Sequence, residues 1–478
     1  MEEHWLTMSA LSNQESNGWK MGFGADVWWD SRSMSTNQIS SPAVHSRRQI
    51  LKGAAGSLLS FPFVTSGLRA ASPNGKLRHA SFGASGMAWS DMNALSNHES
   101  WELAAVCDVD TRNFARVQEK FPGVRCYQSW RELLATEGDK IDSVNVSTPD
   151  HMHGPIGMAA LEAGKHMYGQ KPLAQNLFEC RQLMLKAREK GVMTQMGIQI
   201  SSAFTERHAV AMIQMGAIGK VKEVHTFSHK TWGDMEPLPE RSDPVPEGFD
   251  WNSWLGPAEE RPFLEGYYHP SNWRKRRDFG TGTLGDMGCH MFSGWFRALN
   301  LAAPIAVKSS GPVPGPHNWA VDARVEYTFK GTEFTEGDSV KVTWTDGAQR
   351  PPESVMALVT GEFPKQGSIY LGTDGVLLSP HGSTPMLYPR DKFVGFKYPK
   401  LEPRDHWGEF VDCCLSGTTK PSANFDYAAP LTEAVLLGCL ASVFPNENLT
   451  WDEAALSISG NAAAQALVKR TYRPGWEI

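Results

Sequence analysis

Between residues 77 and 197 short apolar runs alternate with amphipathic ones, and that order excludes most folds. Residues 77–84, 103–106, 141–146, 166–168 and 193–197 read as strands, and residues 87–97, 111–121, 156–163 and 177–190 as helices. A strand followed by a helix and another strand pairs with its predecessor in parallel, through a right-handed crossover. An α/β layer with a parallel sheet is therefore predicted for residues 73–200. In such sheets ligands bind beyond the carboxyl ends of the strands, so the residues that follow each strand are the first candidates for a site.

The first strand runs into Gly83-Ala84-Ser85-Gly86-Met87-Ala88. Against the phosphate-binding pattern G-x-G-x-x-G/A, Gly83 takes the tight-turn position and Ala88 the helix-packing position, while Ser85 replaces the middle glycine. A side chain then stands where backbone should approach a pyrophosphate, and Gly86 beside it can compensate. Asp108 ends the second strand, 25 residues beyond Gly83, where a carboxylate accepts from ribose hydroxyls and repels a 2′-phosphate. This favours NAD, and Arg112 leaves NADP open. Gly83, Ser85, Gly86, Met87, Asp108 and Arg112 are the cofactor contacts expected here.

Two more strand ends carry polar runs, Ser147-Thr148-Pro149-Asp150-His151-Met152-His153 and Gly169-Gln170-Lys171-Pro172. A third stretch, residues 278–290, holds Gly280, Gly282 and Gly285 within six residues, which permits tight turning and close approach to a ligand. If a helix has begun by Asp286, then Asp286 and His290 share one face at i and i+4. A carboxylate against an imidazole suits a general base; a buried structural pair is the alternative.

These residues resemble the motifs of the Gfo/Idh/MocA oxidoreductases, the family of glucose–fructose oxidoreductase and inositol dehydrogenase. Thr148, Pro149 and His153 match Thr-Pro-x-x-x-His, Lys171 and Pro172 match Glu-Lys-Pro, and Asp286, Gly288 and His290 match Asp-x-Gly-x-His. Gln170 departs from the glutamate of the second motif and removes a carboxylate beside the lysine. The resemblance covers residues 77–478. It implies a Rossmann dinucleotide-binding domain followed by a C-terminal α+β domain, residues 201–478, built on a large open mixed sheet that binds substrate and pairs subunits. It also implies Lys171 beside nicotinamide and substrate with a cis Lys-Pro bond, His290 as base and Asp286 as its partner. Thr148, Pro149, His153, Gln170, Lys171 and Pro172 join the expected cofactor contacts. Gln199, Trp273, Arg274, Asp286 and His290 are the expected substrate contacts.

In the second half, residues 221–228, 306–309, 322–329, 339–345 and 368–371 are predicted strands. Residues 203–215, 407–415, 431–441 and 454–469 are predicted helices, and residues 346–367 a loop. The aromatics Trp232, Phe249, Trp251, Trp254, Tyr267, Tyr268 and Trp273 lie on a long segment with few regular signals. They read either as a sugar-stacking subsite or as anchors for a loop, with one or two rings on ligand and most packed.

Residues 1–45 are polar and irregular and read as a disordered extension, with Met34 as an alternative translation start. Residues 46–72 carry Arg47-Arg48, a short apolar run and small residues, and resemble a twin-arginine export signal. That route carries folded proteins and places this one in the periplasm or otherwise outside the inner membrane. Free NAD is scarce there, so a tightly held nicotinamide recycled in place is expected. A net charge of −6 gives no reason to expect nucleic acid or an anionic membrane as partner. Seven cysteines show neither zinc spacing nor a disulfide framework, and no metal is expected.

The function expected is hydride transfer to or from a secondary hydroxyl of a sugar or glycoside by a homo-oligomer. An NAD-dependent glycoside hydrolase acting through transient C3 oxidation and elimination is the alternative. A non-catalytic sugar-binding protein, suggested by Ser85 and Gln170, is the third.

Overall fold

The expected parallel sheet forms around β1 (Leu77–Phe82), with β2 (Trp101–Cys107), β3 (Arg125–Tyr127), β4 (Ser143–Val146), β5 (His166–Gly169) and β6 (Thr194–Met196). The computed structural model describes residues 75–478, which fall within one compact unit, Thr65–Ile478. The extension at 1–45 and the signal at 46–72 lie outside the described residues. The strand order is β3-β2-β1-β4-β5-β6 and every pair is parallel. It reverses direction at β1 and β4, so the loops after these two strands part and leave a crevice. All four residues of β4 are buried, as a strand covered by helices on both faces requires. The three-residue β3 and the helix Trp130–Glu137 behind it were not predicted. So short a strand carries no readable period.

The second layer is a nine-stranded mixed sheet. Its strands are β7 (Val221–Ser228), β8 (Ala306–Ser309), β9 (Arg324–Lys330), β10 (Ser339–Asp346), β11 (Gln366–Gly372), β12 (Val376–Pro380), β13 (Met386–Tyr388), β14 (Asn448–Asp452) and β15 (Ser457–Ser459). The order is β13-β12-β11-β7-β10-β9-β8-β14-β15, with β7 and β10 parallel and the other pairs antiparallel. Burial alternates along β9, so one face is covered. The helices Gly282–Ala298 and Phe425–Ala441 pack together over the sheet core. Phe292, Trp295, Tyr327, Phe329 and Trp344 interlock there, all at most 1% exposed. Each contributes roughly 1.5–3 kcal/mol through burial.

The helix expected at residues 454–469 does not form. Residues 448–459 make the β14–β15 hairpin instead, and only Ala462–Ala466 is helical. The exposed–buried alternation of β14 is a strand period, and Leu456 and Gly460 take left-handed φ values of 52° and 79° that a helix cannot contain. Among the described residues no helix is long and apolar enough to cross a membrane.

Candidate active site

The loops after β1, β2, β4 and β5 build one cleft at the crevice, together with residues 253–254 and 269–274 and with Asp286. In the first, Gly83 has φ +107°, and a Cβ there would lie 2.8 Å from both Ala88 Cβ and Ser147 O, so only glycine fits. Gly86, at φ +55°, has open space where a Cβ would stand. The Asp108 carboxylate accepts from the amides of Ala84 (2.8 Å) and Asp110 (2.9 Å), which ties the ends of β1 and β2 together. Burial pushes its carboxyl up to about 6. Gly83, Ser85, Gly86, Met87 and Asp108 share the wall of a cavity of about 550 Å³ with Thr148, Pro149, Gln170, Lys171, Trp273, Arg274 and Asp286. The volume suits a small ligand or cofactor.

At the far end, Lys171 Nζ donates to Asp286 Oδ1 (3.0 Å) and to Asp286 O (2.7 Å). Arg274 Nε donates to the same Oδ1 (3.0 Å), and its guanidinium lies 4.3 Å from the Trp273 ring centroid. Burial alone would push the Asp286 carboxyl up, but the Lys171 and Arg274 charges hold it down at about 2. The Lys171–Pro172 bond is cis. Gln170 Nε2 donates to Asp91 Oδ2 (2.8 Å), while its Oε1 accepts from the Lys171 amide (3.3 Å). Asp91 also accepts from Ser147 Oγ (2.8 Å) and Trp407 Nε1 (3.1 Å). A carboxyl therefore stands one residue behind position 170, on the other side of an amide.

Several expected residues lie elsewhere. His290 follows Asp286 by one helical turn, but Asp286 hydrogen-bonds Lys171 and Arg274 rather than His290. The imidazole lines a separate small cavity with Thr205, Glu206 and His381, and its buried Nδ1 has no hydrogen-bond partner. Burial first, and the Lys171 charge second, pull its basicity well below the usual imidazole range. His153 does not face the cleft: its Nδ1 lies 2.7 Å from Pro172 O and its Nε2 2.8 Å from Thr148 O, so it clamps two cleft loops together. Pro172 is buried and does not line the cavity. Arg112 forks onto Asp110 at 2.7 Å through both Nε and Nη2, and stays out of the cavity wall. Gln199 makes only a 3.4 Å contact with the Tyr168 hydroxyl and also lies outside it.

The glycines of residues 280–288 serve packing rather than ligand approach. A Cβ at Gly280 would meet Arg274 Cα at 2.6 Å, at Gly282 the Trp319 ring at 2.9 Å, and at Gly288 a Val435 methyl at 2.8 Å. In the aromatic segment Phe249, Trp254, Phe263, Tyr268, Trp273 and Phe279 form a buried cluster of their own, and two of them, Trp254 and Trp273, also line the cavity. Asp150 is a wall residue that the sequence reading did not single out. Asp150 is 3% exposed and accepts from Thr281 Oγ1 (2.7 Å). Burial raises its carboxyl to about 7 despite the Thr281 bond and the nearby Arg274 and Lys171 charges. Its place after Thr148-Pro149 was the available signal.

A switch-point cleft with a glycine turn, an acidic β2 end and a lysine–carboxylate pair from two lobes defines a Rossmann-type oxidoreductase. Residues 77–198 match the family model described as "Oxidoreductase family, NAD-binding Rossmann fold", and residues 212–370 its "C-terminal alpha/beta domain". The chain belongs to the Gfo/Idh/MocA oxidoreductase family, and its first domain is an NAD-binding one.

The chain is similar to levoglucosan dehydrogenase of Pseudarthrobacter phenanthrenivorans, at 25% identity over 202 residues covering 41% of this chain and 43% of the relative. It is also similar to the α-N-acetylgalactosaminidase of Shewanella oneidensis, at 30% identity over 142 residues covering 28% of this chain and 30% of the relative. The chain thus spans less than half the length of either relative. Among solved structures, GenD2 from gentamicin A biosynthesis in complex with NAD superimposes at TM-score 0.54 with 19% identity, covering 79% of this chain and 97% of its own. The WlbA dehydrogenase from Bordetella pertussis, in complex with NADH and UDP-GlcNAcA, does so at 0.55 with 15% identity, covering 79% and 99%. These two likenesses show the shared fold.

Proposed function

We propose that the protein moves hydride between a nicotinamide cofactor and a secondary hydroxyl of a sugar or glycoside. The observation that carries this reading is the Lys171–Asp286–Arg274 cluster in the same cavity wall as the Gly83–Met87 turn and Asp108. The Gly83–Met87 turn, Asp108 and Lys171 would hold NAD, which would supply the hydride acceptor. Lys171 donates to the substrate oxygen and stabilises negative charge that develops there. Asp286 holds Nζ in place and is itself held by Arg274, and the Trp254 and Trp273 rings offer apolar surface to a pyranose face. Two groups are candidates for the hydroxyl proton: Asp150, which lies in the same cavity wall, and neutral His290, one helical turn beyond Asp286 and lining the neighbouring small cavity. Arg112, engaged with Asp110, leaves the ribose side to Asp108, which supports NAD over NADP.

The Arg47-Arg48 signal supports export, and export supports a cofactor that stays bound and is reoxidised in place. Pairing of copies through the nine-stranded sheet completes the proposal. The likeness to an α-N-acetylgalactosaminidase favours one second reading, glycoside cleavage by transient C3 oxidation and elimination. The non-catalytic reading has lost a support, because the Asp91–Gln170 bond keeps a carboxyl near the lysine loop. The test is to purify the full chain without added cofactor, release and assay bound nucleotide, and incubate the protein with sugars and nitrophenyl glycosides. A keto-sugar supports the dehydrogenase, free nitrophenol supports the hydrolase, and neither product with any substrate rejects both.

A further inference from the structure

A second cavity, of about 920 Å³, lies on the other side of the segment that leads into the Asp286 helix. Its walls come from residues 257–261, 277–281 and 316–319, from the start of the helix Leu177–Lys190, and from the tail at 466–474. Five cationic side chains face three carboxylates there, on a chain whose net charge is −6. Arg261 pairs with Asp278 (2.5 Å) and Arg473 with Glu260 (3.6 Å). Arg277 and Arg470 have no ion-pair partner among the described residues. Arg277 Nη1 donates only to Gly315 O (3.1 Å), and its guanidinium lies 5.6 Å from the Trp319 ring centroid. Arg470 bonds Gln175 Oε1 and, weakly, Asp278 O (3.5 Å), and its buried Nε has no hydrogen-bond partner. Glu179 feels the Arg470 charge without forming an ion pair with it. Asn176, 8% exposed, lines the same cavity, and its Nδ2 is also without a partner.

Half-buried guanidiniums that feel a carboxylate nearby, Asp278 for Arg277 and Glu179 for Arg470, but form no ion pair with it are unfavourable, and a planar or tetrahedral oxyanion relieves them by accepting paired N–H bonds. The cavity is too large for an inorganic ion alone and suits an organic ligand. Polar and ring surfaces from Asn176, His317, Trp319 and Tyr472 suit a saccharide body. We propose that this cavity binds the acidic unit of an oligosaccharide, its carboxylate or sulfate ester held by Arg277 and Arg470. The saccharide part rests on the sugar reading above; the oxyanion part rests on the cavity alone. Thr281 belongs to this wall and donates to Asp150 in the other (2.7 Å), so one segment separates the bound acidic unit from the redox cleft.

Isothermal titration of the NAD-loaded full chain tests this with four probes: trigalacturonic acid, a sulfated disaccharide, cellobiose and sodium sulfate. The parent, R277Q, and the R277Q/R470Q double variant are compared, with NAD affinity as the check on folding. One acidic saccharide is expected to bind at least about tenfold more tightly than cellobiose, and to lose about tenfold or more in the double variant and with added salt. R277Q, at a half-exposed position, should lose part of this and serves if the double variant loses NAD binding. Whether the carboxylate or the sulfated probe binds identifies the anion. Binding of neither, unchanged binding in the variants, or equally tight binding of sodium sulfate overturns the proposal. Oxidation of neutral sugars without acidic-saccharide binding sinks this site only; acidic-saccharide binding without any sugar oxidation sinks the redox reading only.

Discussion

Lys171 Nζ and Asp286 Oδ1 lie 3.0 Å apart although 115 positions separate them in the chain. One sits just beyond the tip of β5 in the Rossmann sheet, and the other within the helix that covers the mixed sheet. Their contact joins the two lobes at the cleft. Lys171→Met should therefore lower kcat by about 10²–10³ while NAD affinity, measured by fluorescence titration, stays within about threefold. A parallel loss of NAD binding would assign the lysine to the cofactor rather than to the reacting oxygen.

The proton acceptor separates by substitution. His290→Asn and Asp150→Asn remove the two candidate groups while keeping polar side chains of similar size. Whichever is the base should cost about 10²–10⁴ in kcat/KM and flatten the acid limb of the pH–rate profile. The other should cost less than about tenfold. Equal small effects from both would point to Lys171 alone.

Stability should depend on pH with opposite signs at two carboxyls. Asp286 is held at about 2 against an ordinary 3.8, so its contribution is present above about pH 4 and lost as pH falls toward 2. Asp150 is raised to about 7, so its burial destabilises the fold increasingly as pH rises from about 4 to 7. In urea melts, Asp150→Asn should gain stability relative to the parent at pH 7 and little at pH 4. Asp286→Asn should lose stability at pH 7 and approach the parent near pH 2.

Asp108→Ala should weaken NAD by about tenfold and narrow the preference over NADP, because the ribose acceptor and the charge that repels a 2′-phosphate go together. Titration with both nucleotides checks it. An unchanged ratio would place selectivity elsewhere in the wall.

Gly285→Ala should destabilise the fold by roughly 1–3 kcal/mol, because its Cβ would fall 2.0 Å from Thr281 Oγ1. Relief would require Thr281 to turn away from Asp150, so activity should fall along with the melting temperature.

The Rossmann half was readable because each strand ends at a polar or glycine-rich turn: Gly83, Asp108, Thr148 and Lys171 all stand where strand order alone would put a ligand. The misreadings share a cause. Helical spacing brings Asp286 and His290 to one face, but it does not say which side chain from another segment arrives first, and Lys171 and Arg274 take the carboxylate. His153 and Pro172 sit in matching motifs yet serve the loops rather than the cavity, a distinction that depends on side-chain direction. The helix expected at 454–469 gave way at its start to β15, because residues 457–459 join the edge of β14, itself paired with β8 across a long stretch of chain that local composition cannot show.

The measurement that bears most directly on the shared cleft is reduced-nicotinamide absorbance from NAD-loaded parent and K171M proteins, followed in a single turnover across a panel of sugars. The parent should reduce its cofactor with at least one sugar, while K171M, equally loaded, gives no signal on that timescale. A K171M protein that turns over at the parental rate, or a loaded parent that is silent with every sugar, would contradict the assignment of Lys171 and its cavity to hydride transfer.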